Sequence, residues 1–166
     1  MVAQKKYILS KEVVEKKLRR MAFEILENNI DEKEIILAGI RESGSVVAKV
    51  IQGMLGEIST VKTELITINL DKKEPMEVSL SKSIDFNGKV IILIDDVSNS
   101  GKTLLYALKP FIEFHPKKIQ ILVLVERTHT SFPVRPDYVG LSIATTLQEH
   151  IFVEVDSNSI AGAYLQ

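Results

Sequence analysis

The amino-acid sequence predicts an α/β fold, in which helices cover both faces of a mostly parallel, twisted sheet. Three short segments, residues 35–40, 90–94 and 119–125, are almost entirely apolar, as expected of strands buried on both sides. Helical spacing of apolar residues between them indicates α-helices, and strands that alternate with helices favour parallel pairing. The 166 residues are expected to form one domain, 1–166.

Local patterns predict the individual elements. Ser10 is a favourable N-cap for a helix that runs to about Asn28. The apolar residues of that helix recur with helical spacing at Val14, Leu18, Met21 and Ile25. Alternating side chains predict a strand at 62–70, and a charged turn with a returning strand at 76–80 makes a hairpin within about 62–86. The remaining elements are strands at 35–40, 90–94, 119–125 and 151–155 and helices at 45–55 and 102–114.

Composition excludes several classes of function. The chain contains no cysteine, so thiolate nucleophiles, thiolate metal sites and disulfides are excluded. A formal net charge of −1 argues against a general basic surface for nucleic acid. The sequence has no apolar run of membrane-spanning length and no signal peptide, so we expect a cytoplasmic protein without a membrane partner. His129 and His150 lack ligand-like spacing, which makes a histidine metal site improbable.

The most informative segment runs from Val90 to Thr103. Its apolar strand is followed by two adjacent carboxylates, Asp95 and Asp96, and then by a small polar loop that ends where a helix begins near Lys102. Open α/β sheets bind ligands at the carboxyl ends of strands, and a loop that opens a helix suits a phosphate. Carboxylates suit a metal ion or sugar hydroxyls. The segment therefore predicts a site for a phosphorylated, hydroxyl-rich ligand with Mg²⁺.

Two other interpretations explain this segment less completely. The tripeptide Gly101-Lys102-Thr103 is similar to the end of a P-loop, but the first glycine of that motif would fall at Asp96. An ordinary polar turn between a strand and a helix explains the serines, the asparagine and the glycine. It does not explain two acids directly after an apolar strand.

The segment resembles the signature by which type I phosphoribosyltransferases bind 5-phosphoribosyl-1-pyrophosphate (PRPP). Within that family, the chain is most similar to the bifunctional branch that combines pyrimidine-operon attenuation with uracil phosphoribosyltransferase activity. The resemblance is collinear over nearly the whole chain. It includes the segments Tyr7–Leu9, Leu37–Arg41, Asn87–Lys89, Leu124–His129, Pro133–Gly140 and Glu149–His150.

The resemblance implies the roles of the residues in the acidic and phosphate segment. Asp95 and Asp96 would accept hydrogen bonds from the ribose hydroxyls or act through Mg²⁺. The 5-phosphate would be wrapped by Val97, Ser98, Asn99, Ser100, Gly101, Lys102 and Thr103. Lys102 has a long aliphatic stem, and a solvent-facing position explains this residue equally well. Asn99 replaces an acid of the hypoxanthine-type enzymes, and an amide cannot serve as a general base, so no acid–base role is expected for it.

The resemblance also implies a pyrophosphate loop at Arg41, Glu42, Ser43 and Gly44, with Arg41 as a catalytic cation. The family's loop often holds a strained peptide bond. Glu42 and Ser43 depart from the family's pattern, and a strand-to-helix turn is the alternative explanation. The hairpin resembles the family's flexible loop, but it is shorter and offers Lys72 or Lys73 where the family has an arginine. Both departures are expected to weaken the pyrophosphate end of the site.

The base-binding end is implied by the Arg-Pro-Asp-Tyr-Val-Gly segment. Tyr138 resembles a residue that stacks on the nucleobase, Val139 one that offers backbone groups to its edge, and Asp137 one that reaches Mg²⁺. The alternative for Tyr138 is a core aromatic. Arg127 and His129 follow the preceding core strand and are expected on the same side of the sheet.

The resemblance leaves three functions open. The first is transfer of phosphoribose from PRPP to a nucleobase, most simply uracil, to give UMP and pyrophosphate. The second is an RNA-binding regulator that senses nucleotides, and the third is a nucleotide-binding homologue with little turnover. Arg19 and Arg20 could contact RNA phosphates, but Phe23 stands where the regulators have a histidine, so RNA is not favoured. A homodimer or higher homo-oligomer is expected from the family.

Overall fold

A computed structural model describes residues 4–166 of the chain. Its larger sheet has six strands in the order β4-β3-β2-β5-β6-β7, all parallel except β4, which returns antiparallel to β3. This arrangement confirms the predicted fold class. The elements are β1 Lys6–Ser10, α1 Lys11–Asn28, β2 Glu34–Ile40, α2 Ser43–Ile58, β3 Lys62–Leu70, β4 Val78–Leu80, β5 Val90–Ser98, α3 Lys102–Ala107, α4 Lys109–Ile112, β6 Lys118–Arg127, β7 Tyr138–Ile143, β8 Ile151–Val155 and β9 Ile160–Leu165.

The central strands are buried on both faces because their side chains alternate between two hydrophobic clusters. In β2, Ile35 and Leu37 pack with α1 and α2, whereas Ile36 and Ala38 pack with α3, α4 and Phe86 on the other face. The phenyl ring of Phe86 meets that of Phe111 edge to face, with the ring centroids 4.9 Å apart. A two-sided core of this kind holds the carboxyl ends of the strands at one edge, where a ligand site is expected.

Helix α1 forms as predicted. The Ser10 hydroxyl accepts a hydrogen bond from the Val13 backbone N–H at 3.3 Å, which is the expected N-cap. Its predicted apolar positions Val14, Leu18, Met21 and Ile25 are all buried. None of the helices between residues 4 and 166 is long and apolar enough to cross a membrane.

A second sheet of three antiparallel strands, in the order β1-β9-β8, packs on the cluster formed by α1 and α2. The strand at 151–155 was predicted, but its place outside the main sheet was not, and β1, β7 and β9 were not predicted as strands. β9 contains glycine and alanine, which are uncommon in strands. At Gly162, a Cβ would lie 2.7 Å from the Leu9 carbonyl oxygen, so the close approach of β9 to β1 requires glycine.

Two predicted boundaries are corrected. β5 continues to Ser98, so both carboxylates lie within the strand rather than after it, and Val97 still pairs with Val125 of β6. The predicted helix 102–114 is divided at Leu108 into α3 and α4. Pro110 explains the division, because it has no backbone N–H to continue the hydrogen-bond ladder of α3 and is suited to the first turn of a new helix.

Tyr138 is part of the core. Its side chain is 2% exposed, and its hydroxyl donates to the Gln120 side-chain oxygen at 2.8 Å. That oxygen also accepts a hydrogen bond from the buried Asn29 amide at 3.0 Å. Burial, together with the charge of Asp137, raises the pKa of Tyr138 to about 12.

Replacing Tyr138→Phe should therefore lower the free energy of unfolding by about 1 kcal/mol, because one hydrogen bond in the Gln120 network is lost. The raised pKa means that this stabilisation is present below about pH 10 and is lost as the pH rises through 12. Denaturant unfolding and an ultraviolet titration of tyrosinate measure the two effects. A final tyrosinate step that persists near pH 12 in the Tyr138→Phe variant would contradict the assignment.

Candidate functional site

The site is built around the two carboxylates near the carboxyl end of β5. The Asp95 side chain is completely buried, and its Oδ1 accepts a hydrogen bond from the Asp96 backbone N–H at 2.9 Å. The Asp96 side chain is 13% exposed and lines a cavity of about 390 Å³. β5 therefore presents one carboxylate to the interior and the next to the cavity.

Lys72, from the turn between β3 and β4, supplies the positive charge that faces this acidic pair. Its Nζ lies 3.1 and 3.3 Å from the two carboxylate oxygens of Asp95 and 3.5 Å from Oδ1 of Asp96. Burial alone would lower the pKa of Lys72. The charges of Asp95 and Asp96 and their hydrogen bonds outweigh burial, so the pKa is raised and the ammonium form is favoured.

For the pKa of Asp95, burial outweighs the effect of the neighbouring cation. Its burial and the neighbouring charge of Asp96 raise its pKa well above the ordinary value, and Lys72 only partly offsets this effect. Two adjacent carboxylates with so little exposure to water are stable only if a cation lies beside them or one of them is protonated. The pair is thus a site for a positively charged group or a hydroxyl donor.

The loop after β5 lines the same cavity and has the shape of a phosphate cradle. Gly101 has a φ of 85°, a conformation that glycine adopts without strain, and α3 begins at the next residue. The Ser100 carbonyl accepts hydrogen bonds from the backbone N–H groups of Ser131 and Phe132, both at 3.0 Å, which anchors the loop from behind. The cradle residues that line the cavity are Val97, Ser98, Asn99, Ser100, Gly101, Lys102 and Thr103.

The loop after β2 lies beside the acidic pair because β2 and β5 are neighbours in the sheet. The peptide bond between Arg41 and Glu42 is cis, and the Arg41 side chain is 63% exposed. Arg41 and Glu42 line a second, open cavity of about 1010 Å³ together with the hairpin residues 69–72, whereas Ser43 lines the smaller cavity. Lys72 lines both cavities, so the two meet at the acidic pair.

Gly44 is the contact between this loop and the acidic pair. A Cβ at Gly44 would lie 2.7 Å from the Ile94 carbonyl oxygen and 3.0 Å from Oδ1 of Asp95. The first contact is with backbone, which cannot move aside cheaply. A glycine is therefore required for α2 to pack against the end of β5.

The structure does not bring the predicted base-binding residues to the cavity. Tyr138 is enclosed in the core, and Oδ2 of Asp137 accepts a hydrogen bond from the Ile121 backbone N–H at 2.8 Å, near the start of β6. The Val139 carbonyl accepts from Arg20 of α1 at 2.9 Å. Tyr138, Val139 and Asp137 therefore make contacts within the protein and do not line the cavity, a packing that the sequence motif did not reveal. Their part in base binding stays a prediction.

Strand β8 forms another wall of the small cavity. Ile151, Phe152 and Val153 line the small cavity with the phosphate cradle. Phe152 is 43% exposed, and β8 is an edge strand, so backbone groups on one side are not used by the sheet. The strand was predicted from the sequence, but its position at the cavity depends on a pairing with β9 that no local pattern indicates.

Arg127 and His129 lie on the expected side of the sheet but line a different cavity, of about 460 Å³, behind the phosphate cradle. Asn99 and Ser100 line both this cavity and the smaller cavity described above. Arg127 is held by the Glu149 carbonyl, to which its guanidinium donates.

The carboxylates fit a magnesium ion that is bound mainly through its ligand. Mg²⁺ prefers oxygen ligands and is commonly held by one or two carboxylates together with substrate phosphates. Asp95 and Asp96 provide two such carboxylates, and within residues 4–166 no cluster of three or more potential protein ligands is found. Asp137 is engaged with the β6 backbone and does not join them.

Replacing Gly44→Ala should separate packing at the acidic pair from helix propensity. The added methyl group is expected to lower the free energy of unfolding by about 1–3 kcal/mol and to displace Asp95. In the matched control Gly53→Ala, also in α2, the new Cβ meets nothing within 4 Å and should raise stability by about 0.5–1 kcal/mol. Denaturant unfolding of both variants tests the contact, and equal stabilisation of the two would refute it.

Comparison with known proteins gives consistent matches. Residues 5–158 match the family model of the phosphoribosyl transferase domain. The chain is 34% identical over 176 aligned positions to the bifunctional protein PyrR of Bacillus pumilus, covering 97% of this chain and 98% of that protein. It is 31% identical over 161 positions to the bifunctional protein PyrR of Haemophilus ducreyi, covering 91% and 90%.

Solved structures share the fold. The hypoxanthine phosphoribosyltransferase of Trypanosoma cruzi superposes with a TM-score of 0.79 at 14% identity, covering 96% of this chain and 95% of that one. The hypoxanthine-guanine phosphoribosyltransferase of Bacillus anthracis gives a TM-score of 0.72 at 22% identity, covering 90% and 87%. At these identities the likeness establishes the fold and leaves the accepted base open.

Proposed function

Because the chain belongs to the phosphoribosyltransferase family, we propose that it transfers phosphoribose from PRPP to a nucleobase and releases pyrophosphate. The preferred base in this proposal is uracil and the product UMP, as in the branch that the sequence resembles. The observation that carries the proposal is that Asp96 of the acidic pair and the phosphate cradle line one cavity. A cytoplasmic location and a homo-oligomeric state are parts of the same proposal.

In this proposal the chain binds PRPP along the carboxyl end of the sheet. The 5-phosphate lies in the cradle 98–103, where backbone N–H groups and the hydroxyls of Ser100 and Thr103 can donate to it. The Asp96 carboxylate accepts hydrogen bonds from the ribose hydroxyls at the edge of the cavity. Together these contacts fix the ribose so that its anomeric carbon faces the incoming base.

The pyrophosphate lies in the larger cavity beside Arg41 and Lys72. Mg²⁺, when bound with PRPP, neutralises phosphate charge and stabilises the leaving pyrophosphate. Arg41 is a catalytic residue of the proposal because its exposed guanidinium can donate to two phosphate oxygens at once. Glu42 also lines this cavity and repels the pyrophosphate. Turnover is therefore expected to be slower than with a loop whose charged side chains are all basic.

The base lies between the cradle and β8. Val97 lines one side of that space, and Phe152 of β8 lines the other. Backbone groups at the edge of β8 can bind the polar edge of a pyrimidine. Asn99 lines the same space but does not take a proton. The chain therefore accelerates transfer by positioning the reactants and stabilising charge.

We predict that PRPP with Mg²⁺ stabilises the folded protein by roughly 2.7 kcal/mol when its concentration is about 100 times its dissociation constant. Asp96→Asn should weaken PRPP binding by about 10- to 100-fold, because it removes an anionic acceptor. Gly101→Val should abolish it, because a branched side chain at φ 85° distorts the cradle. Thermal unfolding with and without ligand measures both effects.

The exposed Asp31→Asn variant, which makes the same chemical change far from the cavity, is the control and should bind PRPP normally. A folded Gly101→Val protein with unchanged PRPP binding would show that the phosphate lies elsewhere.

The function itself is tested by PRPP-dependent pyrophosphate release with a panel of free bases. Uracil should support turnover above hypoxanthine and guanine, since the space beside β8 is expected to accept a single ring. Release with hypoxanthine and none with uracil would assign the chain to a purine activity. If PRPP binds but no base supports release, the chain binds nucleotides without turnover.

Sequence-specific RNA binding is not part of the proposal. On α1, Arg19 forms an ion pair with Glu57, and Arg20 pairs with Glu24 and donates to backbone carbonyls. These arginines are therefore already engaged within the protein. Recognition of RNA loops also needs stacking surfaces and base-edge contacts beyond phosphates.

A further inference from the structure

Lys72 occupies an unusual position between the two cavities. It lies in the turn after β3, far along the chain from the acidic pair, yet its ammonium group contacts three carboxylate oxygens of Asp95 and Asp96 at 3.1–3.5 Å. Its side chain is 43% exposed, whereas those of the two aspartates are 1% and 13% exposed. Lys72 thus covers the acidic pair from the solvent side.

The ammonium group and a metal ion compete for the same oxygens. Mg²⁺ requires its oxygen ligands at about 2.0–2.1 Å with near-octahedral geometry. A lysine ammonium already within hydrogen-bonding distance of those oxygens would repel a second cation. It would also occupy space that the metal ion and its other ligands need. In the contact geometry observed, the acidic pair is therefore closed to a divalent cation that arrives alone.

Lys72 also has a second partner within reach. It lines the larger cavity with Arg41, and it reaches that cavity on a flexible four-carbon stem. An anionic group placed there would attract the ammonium away from the aspartates. Asp71, Glu74 and Glu77 line that cavity too, so an entering polyanion must attract the ammonium group more strongly than these carboxylates do.

We propose that Lys72 is a displaceable counter-ion that couples metal binding to PRPP binding. In the ligand-free protein its ammonium neutralises the acidic pair and excludes divalent cations. When PRPP enters with Mg²⁺, Lys72 leaves Asp95 and Asp96 and pairs with the pyrophosphate. This second half rests on the proposed function, whereas the exclusion of cations does not.

The test measures Mn²⁺ binding without PRPP, by electron paramagnetic resonance of the unbound ion, with every variant at the same pH. Lys72→Met should bind Mn²⁺ alone about tenfold or more tightly than the wild type, because the competing cation is gone. The matched control is Lys73→Met, the same change at the next residue, and it should bind as the wild type does. Lys72→Arg keeps the charge and should keep the weak binding.

Equal Mn²⁺ affinity in folded Lys72→Met and wild-type protein would overturn the exclusion. A second measurement needs no charge-removing variant. The lysines of the wild-type protein are labelled by reductive ¹³C-methylation, which retains their charge, and the Lys72 signal is assigned from its absence in Lys72→Arg. That signal should shift when PRPP and Mg²⁺ are added, and an unchanged signal at saturating PRPP would overturn the displacement.

The two ideas fail separately. PRPP binding together with unchanged Mn²⁺ affinity in Lys72→Met would reject the role of Lys72 and keep the proposed function. Tighter Mn²⁺ binding by Lys72→Met, together with no PRPP binding by the wild type, would keep the exclusion of cations by Lys72 and reject the proposed function.

Discussion

Asp95 and Asp96 carry two negative charges on adjacent residues near the end of a buried strand, and the surrounding structure is arranged to tolerate them. Burial of Asp95 disfavours its charged form, so a proton or a nearby cation must offset the charge, and in this protein Lys72 supplies a cation from a different element. Gly44 allows α2 to pack directly against the pair, and the β5 backbone binds one carboxylate oxygen. A protein gains little stability from such a pair, since two apolar residues there would need no cation. The arrangement is more readily understood as a ligand site than as a structural device.

The site depends on elements that are distant in the sequence. The phosphate cradle follows β5, the cis peptide follows β2, Lys72 belongs to the hairpin, and β8 belongs to the second sheet. Parallel pairing of β2 with β5 brings the first two together, because both strands end at the same edge. The second sheet closes the cavity from above through β8. The candidate site is therefore divided among the main sheet, one hairpin and one edge strand.

Local patterns in the sequence were sufficient for α1 and for strands β2 to β6 of the main sheet, because each is encoded within a single continuous segment. They were insufficient wherever a side chain's direction depends on another strand. Tyr138 and Asp137 follow a family motif, but β7 begins level with Leu122 of β6, where the Gln120 side chain and the Ile121 N–H bind them within the protein. The second sheet escaped prediction for the same reason, since β1 and β9 pair across almost the whole chain. The contact of Lys72 with the aspartates likewise depends on how the hairpin folds back over β5.

In the proposed complex, one PRPP molecule lies along the edge of the sheet, with its phosphate in the cradle and its ribose at Asp96. A crystal structure of the protein with PRPP and Mg²⁺ would test this arrangement. We expect electron density for the 5-phosphate within hydrogen-bonding distance of the backbone of residues 98–103, and for the ribose hydroxyls beside Asp96. A phosphate bound outside this cradle, with the acidic pair still covered and without contact to the sugar, would contradict it.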